Sequence, residues 1–154
     1  SSSTMTSGVG SVKSNKLSNG IDAAFVKTNS GYSVENKVYA SGGKTTKLNT
    51  LAVCPFLGKG AIIAKSGRST GYSEGKVTYA TFQAVDNGVV MRHLVGTNAN
   101  AYFGDSGAPV YIPTTSSSGA TLAGVLRGGQ PNTDYTMIFT KEDQIAAAIG
   151  YSRY

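Results

Sequence analysis

An all-β chain closed by a single C-terminal α-helix is the fold class this sequence predicts, on three observations. Short apolar runs recur at a spacing of roughly 10 to 15 residues, each bracketed by Gly, Ser, Asn or Pro, the punctuation of many short strands. Only 14% of residues are charged and 20 of 154 are glycine, which disfavours a helical bundle or a coiled coil. Helical periodicity appears only near the end of the chain. With 40% hydrophobic residues the chain can bury one sizeable core, though not two independent full-size domains.

Taken in order, the first eighteen residues are polar and weakly patterned, an edge strand or a loose end. Ala23-Ala24-Phe25-Val26, Leu51-Ala52-Val53 and Ala61-Ile62-Ile63-Ala64 read as short strands between turn residues. Lys76 to Phe82 alternates, which predicts Val77, Tyr79 and Thr81 on one face. Gly88 to Met91, Pro109 to Ile112 and Leu122 to Leu126 continue the series, with Thr114 to Ser118 as a hairpin loop. Thr140 followed by Glu142 and Asp143 predicts an N-cap with acidic residues in the first turn. Ile145, Ala148 and Ile149 then share a helical face, and Gly150 stops the helix.

Several function classes drop out. No stretch of 18 apolar residues occurs, so no membrane span is expected. The net charge is +6, but Lys and Arg are scattered singly, so a nucleic-acid partner is not expected. One cysteine, Cys54, and one histidine, His93, supply neither an intrachain disulfide nor a zinc ligand set, so no metal or other cofactor is expected. Cys54 is either a buried free thiol or a bond to a companion chain. The N-terminal Ser1-Ser2-Ser3-Thr4 lacks a Met start and a signal pattern, and reads as a processed or truncated end.

The chemistry concentrates in Phe103-Gly104-Asp105-Ser106-Gly107-Ala108-Pro109. A serine between glycines, just before a strand, can sit on a tight turn with its hydroxyl exposed. The glycines let the backbone curl until successive N–H groups converge, as an oxyanion hole requires. The same four residue types also make an ordinary hairpin turn. The residues alone leave both readings open.

The wider sequence resembles the chymotrypsin-like serine peptidases, in particular the bacterial streptogrisin and α-lytic branch. Gly104 to Pro109 matches the family's Gly-Asp-Ser-Gly-Gly-Pro motif with Ala108 in place of a glycine. Ser66 to Thr78 is similar to a hairpin of those enzymes, Gly96-Thr97-Asn98 to the segment leading to the nucleophile, and Gly124 to Gly129 to the strand lining the specificity pocket. The terminal helix followed by Gly150-Tyr151-Ser152-Arg153-Tyr154 resembles their C-terminus. The likeness spans Ile21 to Tyr154. It implies a chymotrypsin-like β-barrel architecture, with residues 51–154 forming the complete second barrel. Residues 1–50 would be a remnant of the first barrel, which is partial or completed by another chain.

The resemblance also implies roles. Ser106 is the expected nucleophile, Gly104 and Ser106 supply the oxyanion-hole amides, and Asp22, leading into Ala23-Ala24-Phe25-Val26, is the acid that orients the base. Asp105 resembles the residue that in relatives pairs with a new N-terminus or packs in the core, and no catalytic role is expected of it. Tyr102, Arg127, Gly128, Gly129 and Thr136 are expected around the substrate pocket. The triad histidine of the family precedes the aspartate, and no histidine precedes Asp22; His93 falls in a strand of the second barrel and reads as a packed or rim residue. Arg127 stands where relatives place a serine, to pair with Asp22 or point into the cleft.

Two functions follow as expectations. The first is a secreted serine endopeptidase acting on polypeptides, its histidine carried by a companion N-terminal fragment docked onto this chain. The second is a catalytically inactive, protease-like barrel used as a binding or structural module.

Overall fold

A computed structural model describes residues 8–18, 20–51, 54–114, 118–129 and 135–151. Among the described residues are ten strands and one α-helix. They are β1 (Gly10–Ser18), β2 (Ile21–Thr28), β3 (Lys37–Tyr39), β4 (Thr45–Asn49), β5 (Ile62–Gly67), β6 (Gly71–Asp86), β7 (Val89–Thr97), β8 (Pro109–Ile112), β9 (Ala120–Gly128), β10 (Met137–Lys141) and α1 (Glu142–Ile149). The expected strand at Leu51 to Val53 and the loop at Thr114 to Ser118 lie partly outside the described residues.

Six strands carry the core. Antiparallel pairings run β5–β6–β7–β10–β9–β8 and return from β8 to β5, so the ring of hydrogen bonds closes on itself. Such closure removes the exposed edges that an open sheet would present. Ile63, Val77, Val95, Val110, Leu126, Met137 and Phe139 fill its interior, each fully or almost fully buried. Each contributes on the order of 1.5–3 kcal/mol by leaving water. On the outer side, β4 extends β9 in parallel, and β3 adds to β4.

The β6–β7 hairpin is longer than the sequence predicts. Its tip is Asn87-Gly88, both at positive φ (49° and 79°), a tight turn whose twist matches the flanking strands. The expected shared face of Val77, Tyr79 and Thr81 does not form. Register shifts between Val77 and Tyr79 and between Tyr79 and Phe82 bend β6, leaving Val77 buried and Tyr79 and Thr81 exposed. A further shift on β7 places His93 at φ 56°, on the solvent side.

The helix also begins one position later than expected. Thr140 is drawn into β10, where it pairs with both Leu94 and Val125, so Lys141 becomes the N-cap without a side-chain cap bond. Ile145 and Ala146 are buried, and Gly150 ends the helix in the left-handed conformation, its N–H donating to Ala146 O.

The polar N-terminal stretch forms a true strand, β1, paired with β2 as a separate two-stranded sheet. Its turn docks on the β7 bulge: Arg92 N–H donates to Gly20 O at 2.9 Å. Gly20 is required there, because its φ is 81° and a Cβ would stand 2.8 Å from Arg92 N. The helix packs against one face of this hairpin, Phe25 stacking on Tyr151 at 6.3 Å.

Candidate active site

The loop from Tyr102 to Ala108 is organised around a buried carboxylate. Asp105 is 1% exposed and accepts five hydrogen bonds. Lys65 Nζ reaches Oδ2 at 3.0 Å, Thr70 Oγ1 at 2.6 Å and Tyr102 N at 3.1 Å. Ser69 N and Thr70 N reach Oδ1 at 2.7 and 3.2 Å. Burial alone would raise the carboxyl's pKa. The bonds from Thr70, Lys65, Tyr102 and Ser69 outweigh it and hold the group well below the ordinary carboxylate range. Asp105 is therefore an anion whose pairing with Lys65 ties the loop to β5 and to the β5–β6 turn.

Lys65 is the residue that sequence reasoning missed. Its side chain is wholly buried, with Thr70 Oγ1 and Gly71 O (2.9 Å) as its other acceptors. A signal was present: Lys65 lies two positions after Ile63 in one strand, and strand periodicity puts it on the same inward face as that core residue.

Asp105 positions what surrounds Ser106. The amides of Asp105, Gly107 and Ala108 donate to Tyr102 O, Leu126 O and Asp105 O at 3.0, 2.7 and 2.9 Å. The amides of Gly104 and Ser106 have no backbone acceptor among the described residues. Gly104 holds φ 96° against Ser69, whose hydroxyl donates to Phe103 O at 2.6 Å; a Cβ on Gly104 would collide with that oxygen. The Ser106 side chain is exposed, and its Oγ donates to Arg127 O at 2.9 Å.

Residues 127–129 run alongside. The Arg127 guanidinium pairs with Asp86 at 2.6 Å, which pins the tip of the β6–β7 hairpin beside the strand that holds the Ser106 hydroxyl. Its partner is thus Asp86 and not Asp22. Gly129 lies between two carbonyls: a Cβ there would be 2.9 Å from Ala101 O and 3.0 Å from Thr136 O. Thr136 is anchored by Oγ1 to Ala99 O at 2.7 Å, while Gly128 borders open space. Tyr102 is 66% exposed and meets Phe103 edge-on at 5.4 Å. Ser106, Gly104, Arg127 and Gly128 are thereby grouped, and Gly129 and Thr136 adjoin through Ala99 to Ala101. A cavity of about 950 Å³ between β4 and the β5, β6 and β8 strands is lined by Lys44, Lys47, Tyr72, Glu74 and Tyr111, and by none of these residues.

Asp22 stands apart, on β2 opposite Leu17, exposed and with no hydrogen bond or ion pair among the described residues. His93 sits on the β7 bulge with its side chain exposed. Cys54 is buried, its thiol donating to Ala123 O at 3.3 Å, and burial pushes its pKa up to about 11. No group of three or more potential metal ligands occurs among the described residues, and no described helix is long and apolar enough to cross a membrane.

No protein-family model matches the chain. No curated protein matches it either. Solved structures do. The chain superposes on a chymotrypsin of Cellulomonas bogoriensis with a TM-score of 0.77 and 25% identity, covering 94% of this chain and 75% of that one. Protease A of Thermobifida fusca gives 0.72 and 23%, over 90% and 70%. A Nocardiopsis protease gives 0.71 and 22%, over 88% and 69%. The chain has the fold of the bacterial chymotrypsin-like serine proteases along most of its length, as its sequence motifs imply.

Proposed function

We propose that this chain is the nucleophile-bearing body of a secreted serine endopeptidase, completed by a histidine on another polypeptide segment. The observation that carries the reading is the state of the loop amides: those of Gly104 and Ser106 are left without a backbone acceptor while their neighbours are engaged. Two such N–H groups beside a serine hydroxyl suit the oxyanion of a tetrahedral acyl intermediate, each worth about 2.7–4 kcal/mol in the transition state. In this mechanism Ser106 Oγ attacks the peptide carbonyl, its proton passes to an imidazole, and Asp22 orients that imidazole. The imidazole then protonates the departing amine, and water releases the acyl group by the reverse sequence. The substrate chain would lie along residues 127–129, with its side chain among Tyr102, Gly128, Gly129 and Thr136.

The base has to come from elsewhere for a chemical reason. Ser106 donates to Arg127 O, and an amide carbonyl is far too weak a base to accept the proton outright. That same bond favours a second reading, in which the loop is scaffold in an inactive binding or structural module.

Fluorophosphonate labelling followed by intact mass separates them, with free imidazole standing in for the missing side chain. The active reading expects slow phosphonylation of Ser106, accelerated by imidazole and abolished in Ser106→Ala. If no adduct forms with or without imidazole, the scaffold reading stands.

A further inference from the structure

The outer face of the six-strand ring carries the cavity of about 950 Å³ beside β4, and register explains its floor. Glu74 of β6 and Tyr111 of β8 are both paired with Ala64 of β5, so the three stand in one row across the sheet. Strand alternation puts Tyr72 and Ile62 on the same outer face, opposite to Ile63, Val77 and Val110 inside the ring. Ala64 in the middle of the row and Ala120 on β9 are small. Val38 of β3 and Leu48 of β4 join them and Tyr111 in one buried cluster, so β3 and β4 cover part of this face and leave the rest hollow. The Tyr111 hydroxyl donates to Tyr39 O at 2.8 Å, which ties the floor to β3. The β3–β4 turn, closed by Ala40 N–H donating to Lys44 O at 2.7 Å, forms the rim.

Charge defines the ligand. Lys44 and Lys47 line the β4 side and Glu74 the β6 side, and β5, β8 and β9 separate those two strands in the sheet. Among the described residues neither lysine forms an ion pair, and Glu74 receives one hydrogen bond, from the Tyr72 hydroxyl. Opposite charges are thus held apart across a hollow with an aromatic and aliphatic floor. Burial, and after it the Glu74 charge, push the Tyr111 pKa up to about 12, so the carboxylate is felt at that floor. A ligand with one charge would leave the other wall unanswered, whereas a dipolar one answers both. The row from β6 to β8 covers about 10 Å before β9 and β4 are reached. An extended tripeptide spans about 10 Å, while a free amino acid is too short to reach both walls. The volume lies within the range of about 300–1,000 Å³ that suits ligands of that size.

We propose that this cavity binds a short peptide with free ends. Its N-terminal ammonium meets Glu74, its C-terminal carboxylate meets Lys44 and Lys47, and an apolar side chain lies over Tyr72 and Tyr111. The site includes no residue of the Ser106 loop and does not rest on the function proposed above.

The test is amide chemical-shift mapping of the whole chain against the tripeptide Ala-Phe-Leu, with its N-acetyl and C-amide forms as controls. Shifts should saturate below about 5 mM peptide and centre on residues 44–47, 72–74 and 111. Each blocked form should bind about fivefold more weakly than the free peptide. Glu74→Gln should abolish the difference between the free and N-acetyl peptides. Lys44→Gln combined with Lys47→Gln should abolish the difference between the free and C-amide peptides. All three positions are exposed, so the variants should remain folded. Absence of saturation, or shifts centred on residues 102–107 and 127–129, overturns the site. Equal binding of either blocked form overturns the dipolar ligand, as does a preference that survives in the matching variant.

Discussion

Replacing Lys65 with methionine keeps most of the volume of a wholly buried side chain while deleting the cation 3.0 Å from Asp105. At an effective dielectric of about 20 the gross attraction over that distance is about 5 kcal/mol, most of it offset by the cost of desolvating both ions. Removing one partner leaves that cost standing, typically about 3–5 kcal/mol. Asp105 keeps its bonds from Thr70, Ser69 and Tyr102, which argues for the lower end, about 3 kcal/mol. Urea unfolding at pH 7 reads this as a midpoint lowered by about 1.5 M, for a slope of about 2 kcal/mol per M. Adding Asp105→Asn to Lys65→Met should recover at least about 1 kcal/mol, since no unpaired charge then remains buried. The pH profile supplies an independent reading. A carboxyl depressed in the folded state contributes stability above its unfolded pKa of about 3.9, and that stability is lost as pH falls below it toward the folded value. The parent chain should therefore weaken steeply below about pH 4, and Asp105→Asn should weaken less steeply. A Lys65→Met variant within about 1 kcal/mol of the parent, with no recovery in the double variant, would refute the reasoning.

Ser106→Ala removes only an exposed hydroxyl and its bond to Arg127 O, so stability should change by no more than about 1 kcal/mol while phosphonate labelling disappears. Gly104→Ala forces a Cβ into left-handed backbone against Ser69; a loss of about 1–3 kcal/mol in thermal unfolding and a slower labelling rate are expected. His93→Gly relieves a positive φ of 56° and should stabilise the chain by up to about 1 kcal/mol with unchanged labelling; a lost label would instead make His93 a participant. Cys54, buried with its pKa raised to about 11, should resist a thiol reagent at pH 8 in the native chain and react promptly in urea.

The legible parts of the fold were those set by local chemistry. Gly-bracketed apolar runs marked β2, β5, β8 and β9, and the helical period marked α1 to within a residue or two. What escaped was decided at a distance. The bends in β6 arise from pairing with β7, so no run of residues within Lys76 to Phe82 announces that Tyr79 turns outward. Thr140 has the chemistry of an N-cap, but two neighbouring strands claim its backbone first. The strand character of Gly10–Ser18 was obscured because its apolar residues, Val12 and Leu17, face solvent and a bulge between Val12 and Ser14 breaks the alternation.

The site divides along the same line. Gly104, Asp105, Ser106 and Gly107 are contiguous, so a short motif announces the loop, and its positive φ angles explain why glycine stands at 104 and 107. Its stabiliser, Lys65, is forty positions away and resembles any other lysine until strand periodicity places it beside Ile63. Asp22, the acid the resemblance implies, is more remote still, on a hairpin outside the six-strand ring. The serine loop is thus held independently of Asp22: Asp105 and Lys65 fix it from within the ring. A chain built this way keeps the serine loop formed while its hydroxyl rests on a carbonyl, and a proton acceptor arriving beside Ser106 would need to displace only that one bond.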